Sequence, residues 1–250
     1  MLRSIRLPIV LLFTFSLFTN FTFSPVANNI HHVLLFINSD SAEIFVTEKS
    51  KKNIVAEEYS IMGLDKKGLS KEAFDLAIKG YNNLLQKKLI RNKNILTVID
   101  FSKPSSQKRL FVLDVKRSKL LFQSLVAHGR NSGLDYATSF SNEEDSHKSS
   151  LGFYVTLNTY SGECGYALKL KGCEKGFNDR AYERAIVVHG SEYVTDQFLH
   201  SKGFLGRSWG CPALPEKISK KIIDVIKNGS CLFLYHPTKK YLMNSPVLNG

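Results

Sequence analysis

From Ile95 onward the chain is a succession of short apolar runs, rich in β-branched and aromatic residues and closed by turn residues. The runs are Ile95–Phe101, Leu110–Val115, Leu120–Ala127, Leu151–Leu157, Tyr166–Leu170, Ala185–His189 and Cys231–Tyr235. Breaks such as Lys103-Pro104-Ser105-Ser106 and Lys116-Arg117-Ser118-Lys119 separate them. Runs of this length are too short for buried helices and read as strands, so the pattern predicts a mainly β domain of the α+β class. The helices are few. Phe74, Ala77, Ile78, Tyr81, Leu85 and Leu89 recur at helical spacing behind Ser70, which is placed to cap the start, and predict an amphipathic helix over residues 70–90. A later helix has Pro215 in its first turn, Ile218, Ile222, Val225 and Ile226 on one face, and Gly229 just past its end. A shorter one is expected over Tyr193–His200.

The N-terminus has a different character. Arg3 and Arg6 precede the uncharged apolar run Leu7–Phe18, and a polar stretch Thr19–Asn29 follows, the layout of a secretory leader. Residues 1–27 are therefore expected to be a signal peptide, with an uncleaved anchor over Ile5–Phe23 as the alternative; either places the rest in the periplasm or outside the cell. Residues 28–92 are expected to form an N-terminal segment that includes the amphipathic helix, and residues 93–240 the β-rich domain. Val33–Ile37 reads either as a strand or as the tail of the export segment, and Lys49–Glu58 as linker or a solvated element. The segment 129–150, polar and longer than an ordinary connection, is of the kind that is functional or mobile.

The net charge of +12 favours polyanionic partners. No nucleic-acid motif accompanies it, so an anionic cell-envelope surface is the expected partner and nucleic acid is not. The four cysteines, at 164, 173, 211 and 231, show no metal-binding spacing, and neither a metal nor a cofactor is expected. Cys164 and Cys173 lie close in sequence among the turn glycines 162, 165, 172 and 176, and export permits disulfides, so a bridge between them is expected. Cys231 reads as a buried apolar residue, which leaves Cys211 as the free thiol.

Cys211 stands in Gly206-Arg207-Ser208-Trp209-Gly210-Cys211-Pro212-Ala213, and His189-Gly190 follows the apolar run 185–188. A thiol near its ordinary pKa is mostly protonated at neutral pH and needs an adjacent base to act as a nucleophile. His189 supplies one if the strand end and the loop lie side by side. Gly210 suits a tight turn in which its own N–H and that of Cys211 converge as an oxyanion hole.

These motifs together resemble the L,D-transpeptidase catalytic domain, YkuD-like, in its murein branch. Val126-Ala127-His128-Gly129-Arg130-Asn131-Ser132-Gly133, Phe140-Ser141-Asn142, Ser149-Ser150-Leu151-Gly152-Phe153-Tyr154 and Asn178-Asp179-Arg180-Ala181 add to the resemblance, which covers roughly residues 65–237. It implies packed β-sheets with the cysteine in a loop at one end of a cleft, and action on peptidoglycan stem peptides; a monomer is expected. It implies attack by Cys211 on the bond after the L-centre of a diamino acid, release of D-alanine, and resolution of the acyl-thioester by an acceptor amine. Alternatives are a hydrolase of the L,D-carboxypeptidase type, in which water resolves the thioester, and a wall-binding module without turnover. Where the better-known family form has histidine two residues before the cysteine, this chain has Trp209, so His189 is the base, oriented by the Gly190 carbonyl. Ser208 either holds the loop or touches substrate, and Trp209 either walls the cleft or packs in the core. His128, Arg130 and Asn142 either bind stem-peptide carboxylates or line a polar loop face.

Overall fold

The computed structural model describes residues 48–250, with side chains from residue 53 onward; the expected leader over residues 1–27 and the run Val33–Ile37 lie outside the described residues. Helices α1 (Glu48–Ile61), α2 (Leu64–Lys67) and α3 (Lys71–Gln86) come first, followed by strands β1 (Ile95–Asp100), β2 (Leu110–Asp114) and β3 (Lys119–Ser124). Next are β4 (Gly152–Gly162), β5 (Gly165–Gly172), β6 (Val187–Ser191), α4 (Asp196–Lys202) and β7 (Ala213–Pro215). Helix α5 (Glu216–Ile226), β8 (Cys231–Tyr235), α6 (Lys239–Asn244) and α7 (Pro246–Asn249) complete the chain.

All eight strands belong to one mixed sheet in the order β3-β2-β1-β8-β4-β5-β6-β7. The pairs β1–β8 and β6–β7 are parallel and the others antiparallel. The two edges are stitched together. Beyond β3 the chain stays extended, and Ala127 exchanges backbone hydrogen bonds with Ala213 of β7, at 2.8 and 3.4 Å. The sheet thus wraps nearly into a barrel, and the seam lies beside Cys211.

Strands β1, β2 and β8 are buried along their whole length, which is why Ile95–Asp100, Leu110–Asp114 and Cys231–Tyr235 are almost uninterrupted apolar runs. Helix α3 covers β1 and β8 with Ala73, Phe74, Ala77, Ile78, Tyr81 and Leu84, each large side chain contributing about 2 kcal/mol by burial. Ser70 accepts the Ala73 N–H as its cap. Gly80 allows close approach: a Cβ there would lie 2.0 Å from the Phe153 ring. On the β6 side, α5 buries Ile222, Ile223 and Ile226.

Three elements differ from the sequence expectation. Residues 48–61 are helical rather than a linker, and the Tyr59 ring is 5.4 Å from that of Phe74. Strand β7 escapes sequence reading because it is three residues long and ends in proline. The expected helix 193–200 starts at Asp196, because Thr195 caps it by accepting the Phe198 N–H.

Candidate active site

Side-chain alternation along β6 sets the site. Gly190 faces α5 so closely that a Cβ would lie 2.6 Å from Ser219 Oγ, and Val187 and His189 therefore face the opposite way. Strand β7 pairs parallel with β6 in the register His189↔Ala213, so Cys211, two residues upstream of Ala213, falls beside Val187. The Val187 N–H points at Cys211 Sγ at 3.4 Å, and the sulfur lies 3.8 Å from Ala185 O. Thiol and imidazole are thus diagonal neighbours across one strand pair, within reach of a long side chain.

His189 Nδ1 lies 2.9 Å from Gly190 O. A carbonyl can only accept, so Nδ1 carries the proton and Nε2 keeps its lone pair for use as a base. Burial lowers the pKa of this imidazole, with the Gly190 carbonyl opposing the shift. Burial pushes the Cys211 thiol up to about 11, against the pull of the Val187 N–H and the Arg184 charge. At neutral pH the resting pair is therefore a neutral thiol and a neutral imidazole.

The turn before Cys211 is held from several sides. Ser208 Oγ donates to Cys211 O at 2.6 Å and accepts the Gly210 N–H at 3.1 Å, while Gly210 O accepts Ser149 Oγ–H at 3.1 Å. Gly210 has φ 125°, and a Cβ there would lie 2.8 Å from Lys148 O; only glycine fits. The expectation that Gly210 N–H serves an oxyanion hole needs correction. That N–H already donates to Ser208 Oγ at 3.1 Å.

Residues 65–235 match the model of the L,D-transpeptidase catalytic domain. The chain belongs to that family. Solved structures with which it shares low similarity include an L,D-transpeptidase from Mycobacterium smegmatis, at 13% identity and TM-score 0.35, with 57% of this chain and 59% of that one covered. Another is the helical cell shape determining protein Pgp2 from Campylobacter jejuni, at 15% identity and TM-score 0.40, with 58% and 48% covered. The chain spans less than two thirds of either, and no argument rests on likeness at this level. No curated protein matched the sequence.

Within this L,D-transpeptidase domain the remaining expected residues separate. Ser208 holds the loop, since both functions of its buried hydroxyl are used. His128 is buried and not available to a substrate: Nδ1 accepts from Arg109 Nη2 at 2.7 Å and Nε2 faces Gly133 O at 3.3 Å. Asn142 is also committed, donating to Asp179 Oδ1 at 2.9 Å and accepting the Arg180 N–H at 3.2 Å. Arg130 is exposed beside the turn, its N–H donating to Ser208 O at 2.7 Å. Trp209 is 69% exposed and stacks on His147 at 5.0 Å, so it is not part of the core.

The Cys164–Cys173 bridge is not formed; all four thiols are free. Cys164 lies in the β4–β5 turn and Cys173 just past the far end of β5, on the order of 30 Å of extended chain away. A disulfide tolerates only about 7 Å between Cα atoms. Cys231 is buried in β8 as expected.

Sequence reading missed Arg184. Its Nη1 donates to Ser141 O at 2.9 Å and Ser150 Oγ at 2.5 Å, and its Nη2 to Ser146 Oγ at 3.1 Å and Lys148 O at 2.9 Å. One guanidinium thus straps residues 141–150 across the back of the Gly210 turn, and His147, at φ 52°, is presented to Trp209. No local pattern around residue 184 announces a role carried by partners 34 to 43 residues away.

Proposed function

We propose that the protein is a cysteine acyltransferase that joins peptidoglycan stem peptides through an acyl-thioester on Cys211. The placement of Cys211 diagonal to His189, with the Val187 N–H on its sulfur, carries this reading. Because both groups rest neutral, the proton moves during attack and not before it. His189 Nε2 takes the thiol proton as Sγ adds to the carbonyl that follows the L-centre of the diamino acid. The Cys211 N–H stabilises the oxyanion. Collapse breaks the amide bond, and His189 returns the proton to the leaving amine of D-alanine. An acceptor amine, deprotonated in turn by His189, attacks the thioester, forms the cross-link and restores the thiol. Acceptor and donor are wall polymers, and the leader-like N-terminus supports action in the periplasm or outside the cell, where the basic surface meets an anionic envelope.

Incubation with purified tetrapeptide muropeptide, followed by product separation and intact-protein mass measurement, tests this. Cross-linked dimer is the expected product, together with a transient adduct on Cys211 that is absent from Cys211→Ser. Trimmed tripeptide monomer alone would make the protein a hydrolase working through the same thioester. Neither product nor adduct would leave a binding module.

A further inference from the structure

Strand register places more than His189 on the cleft face of the sheet. Tyr160 of β4, Ala167 of β5 and His189 of β6 form one row. The next row holds Lys169 of β5 directly opposite Val187, the residue whose N–H touches the Cys211 sulfur. Lys169 is half-buried, and its Nζ is 5.3 Å from the Tyr160 ring centroid and 5.9 Å from that of Tyr182, which enters from the loop before β6.

Two other lysines among the described residues lie over tyrosine rings. Lys71, over Tyr59, is paired with Asp75 at 2.5 Å, and Lys220, over Tyr166, with Asp224 at 2.6 Å. Lys169 has no such carboxylate among the described residues. Two aromatic faces hold its ammonium in place, yet no carboxylate among the described residues pairs with it, and its backbone stands two strand spacings, about 10 Å, from that of Cys211, with Val187 between them. A cation fixed and unneutralised beside a reactive centre is complementary to an anion carried by the reactant.

We propose that Lys169 is a carboxylate subsite, which takes the terminal carboxylate of the residue that leaves from the scissile bond. The inference rests on the acyl-transfer reading for the position of that bond. In a donor ending one residue past the scissile carbonyl, the carboxylate is three bonds from the attacked carbon, roughly 4 Å away. Of the roughly 10 Å across Val187 between β5 and Cys211, the extended Lys169 stem covers about 6 Å, which leaves its ammonium within reach of that carboxylate. The subsite makes the enzyme select donors that end immediately after the cleaved bond, over donors that are longer or amidated there.

The test measures the affinity of the Cys211→Ser protein for the stem tetrapeptide and for its C-terminal carboxamide, with and without Lys169→Met. Methionine keeps an apolar stem on the two rings, and matching thermal denaturation curves confirm that the fold is retained. The expected result is at least about tenfold tighter binding of the acid than of the amide, lost in Lys169→Met and retained in Lys169→Arg. Equal affinities, a preference that survives Lys169→Met, or no binding of the tetrapeptide would each overturn the subsite. Turnover by the unmutated protein reports separately on acyl transfer. A protein that prefers the acid through Lys169 but yields neither dimer nor trimmed peptide would break the acyl-transfer reading and leave the subsite standing.

Discussion

Two His-Gly dipeptides close apolar runs in this chain, His128-Gly129 after Val126-Ala127 and His189-Gly190 after Val187-Val188, and the fold puts them to opposite uses. Both imidazoles are buried and both have a lowered pKa. His189 spends one nitrogen on the carbonyl of its own neighbour, and its other nitrogen has no hydrogen-bond partner among the described residues. His128 spends both, one on the Arg109 guanidinium and one on Gly133 O, and so ties the β2 side of the sheet to the loop under the active-site turn. Arg109 in turn donates to Val126 O and Lys103 O. Burial alone therefore does not free a histidine for chemistry; a nitrogen that the fold leaves uncommitted is also needed.

The sharpest separation should come from replacing each ring in turn. His189→Ala is expected to slow acylation of Cys211 at neutral pH by roughly 10²- to 10⁴-fold. The loss should be recovered at alkaline pH, because a thiol pushed up to about 11 ionises unaided only there. The rate of iodoacetamide labelling against pH reads this directly. In the unmutated protein it should rise already near neutral pH, where the imidazole is unprotonated. His128→Ala should leave the labelling rate of the folded protein unchanged. Identical labelling profiles for His189→Ala and the unmutated protein would erase the distinction between the two rings.

A smaller effect separates them in stability. Burial, with the Arg109 charge adding to it, depresses His128 from 6.5 to about 4. Between those values the unfolded chain binds a proton that the folded chain refuses, so stability is complete above the upper value and is lost as pH falls through the window. The expected loss is about 3 kcal/mol. His189 is lowered in the same direction and adds to it. Removing His128 leaves the buried Arg109 Nη2 without that acceptor, which costs about 3 kcal/mol at neutral pH, but it should flatten the acid-side slope. Denaturant unfolding between pH 7.5 and 4.5 measures both, and an unchanged slope in His128→Ala would remove His128 as the cause.

Why one His-Gly was readable and the other was not follows from the range of their contacts. Cys211 and His189 were legible because their flanks carry a family pattern, and the register His189↔Ala213 does bring them together. His128 and Asn142 were not, since no local pattern reveals where a ring nitrogen or an amide finds its partner; theirs lie 19 and 37 residues away. Lys169 reads in sequence as an ordinary outward residue of an alternating strand, and only the register of β5 against β6 puts it opposite Val187. The strands were legible because doubly buried β1, β2 and β8 are apolar at most positions. The disulfide failed for the converse reason. Nine residues of separation suggest proximity only if the chain turns, and here it runs straight along β5.

The least costly change expected to matter lies on the rim, where Trp209 replaces the family's more familiar histidine. Trp209 is 69% exposed and gains little from burial, so what holds it is the stack on His147, with rings 5.0 Å apart and 20° from parallel. Such a pair contributes about 0.5 to 1.5 kcal/mol. If it walls the cleft for a stem peptide, Trp209→Leu and His147→Gly should each lower kcat/KM for tetrapeptide by roughly two- to tenfold. The double variant should lose no more than the worse single one, because the stack acts as one unit. Glycine suits position 147, where φ is 52° and a side chain is strained, so His147→Gly should cost little stability. Labelling of Cys211 by iodoacetamide should not change in any of the three, since neither ring touches the sulfur or its base. A fall in labelling alongside kcat/KM would mean that the stack shapes the thiol as well as the substrate. The division between a chemical histidine at 189 and the supporting ones at 128 and 147 would then not hold at the rim.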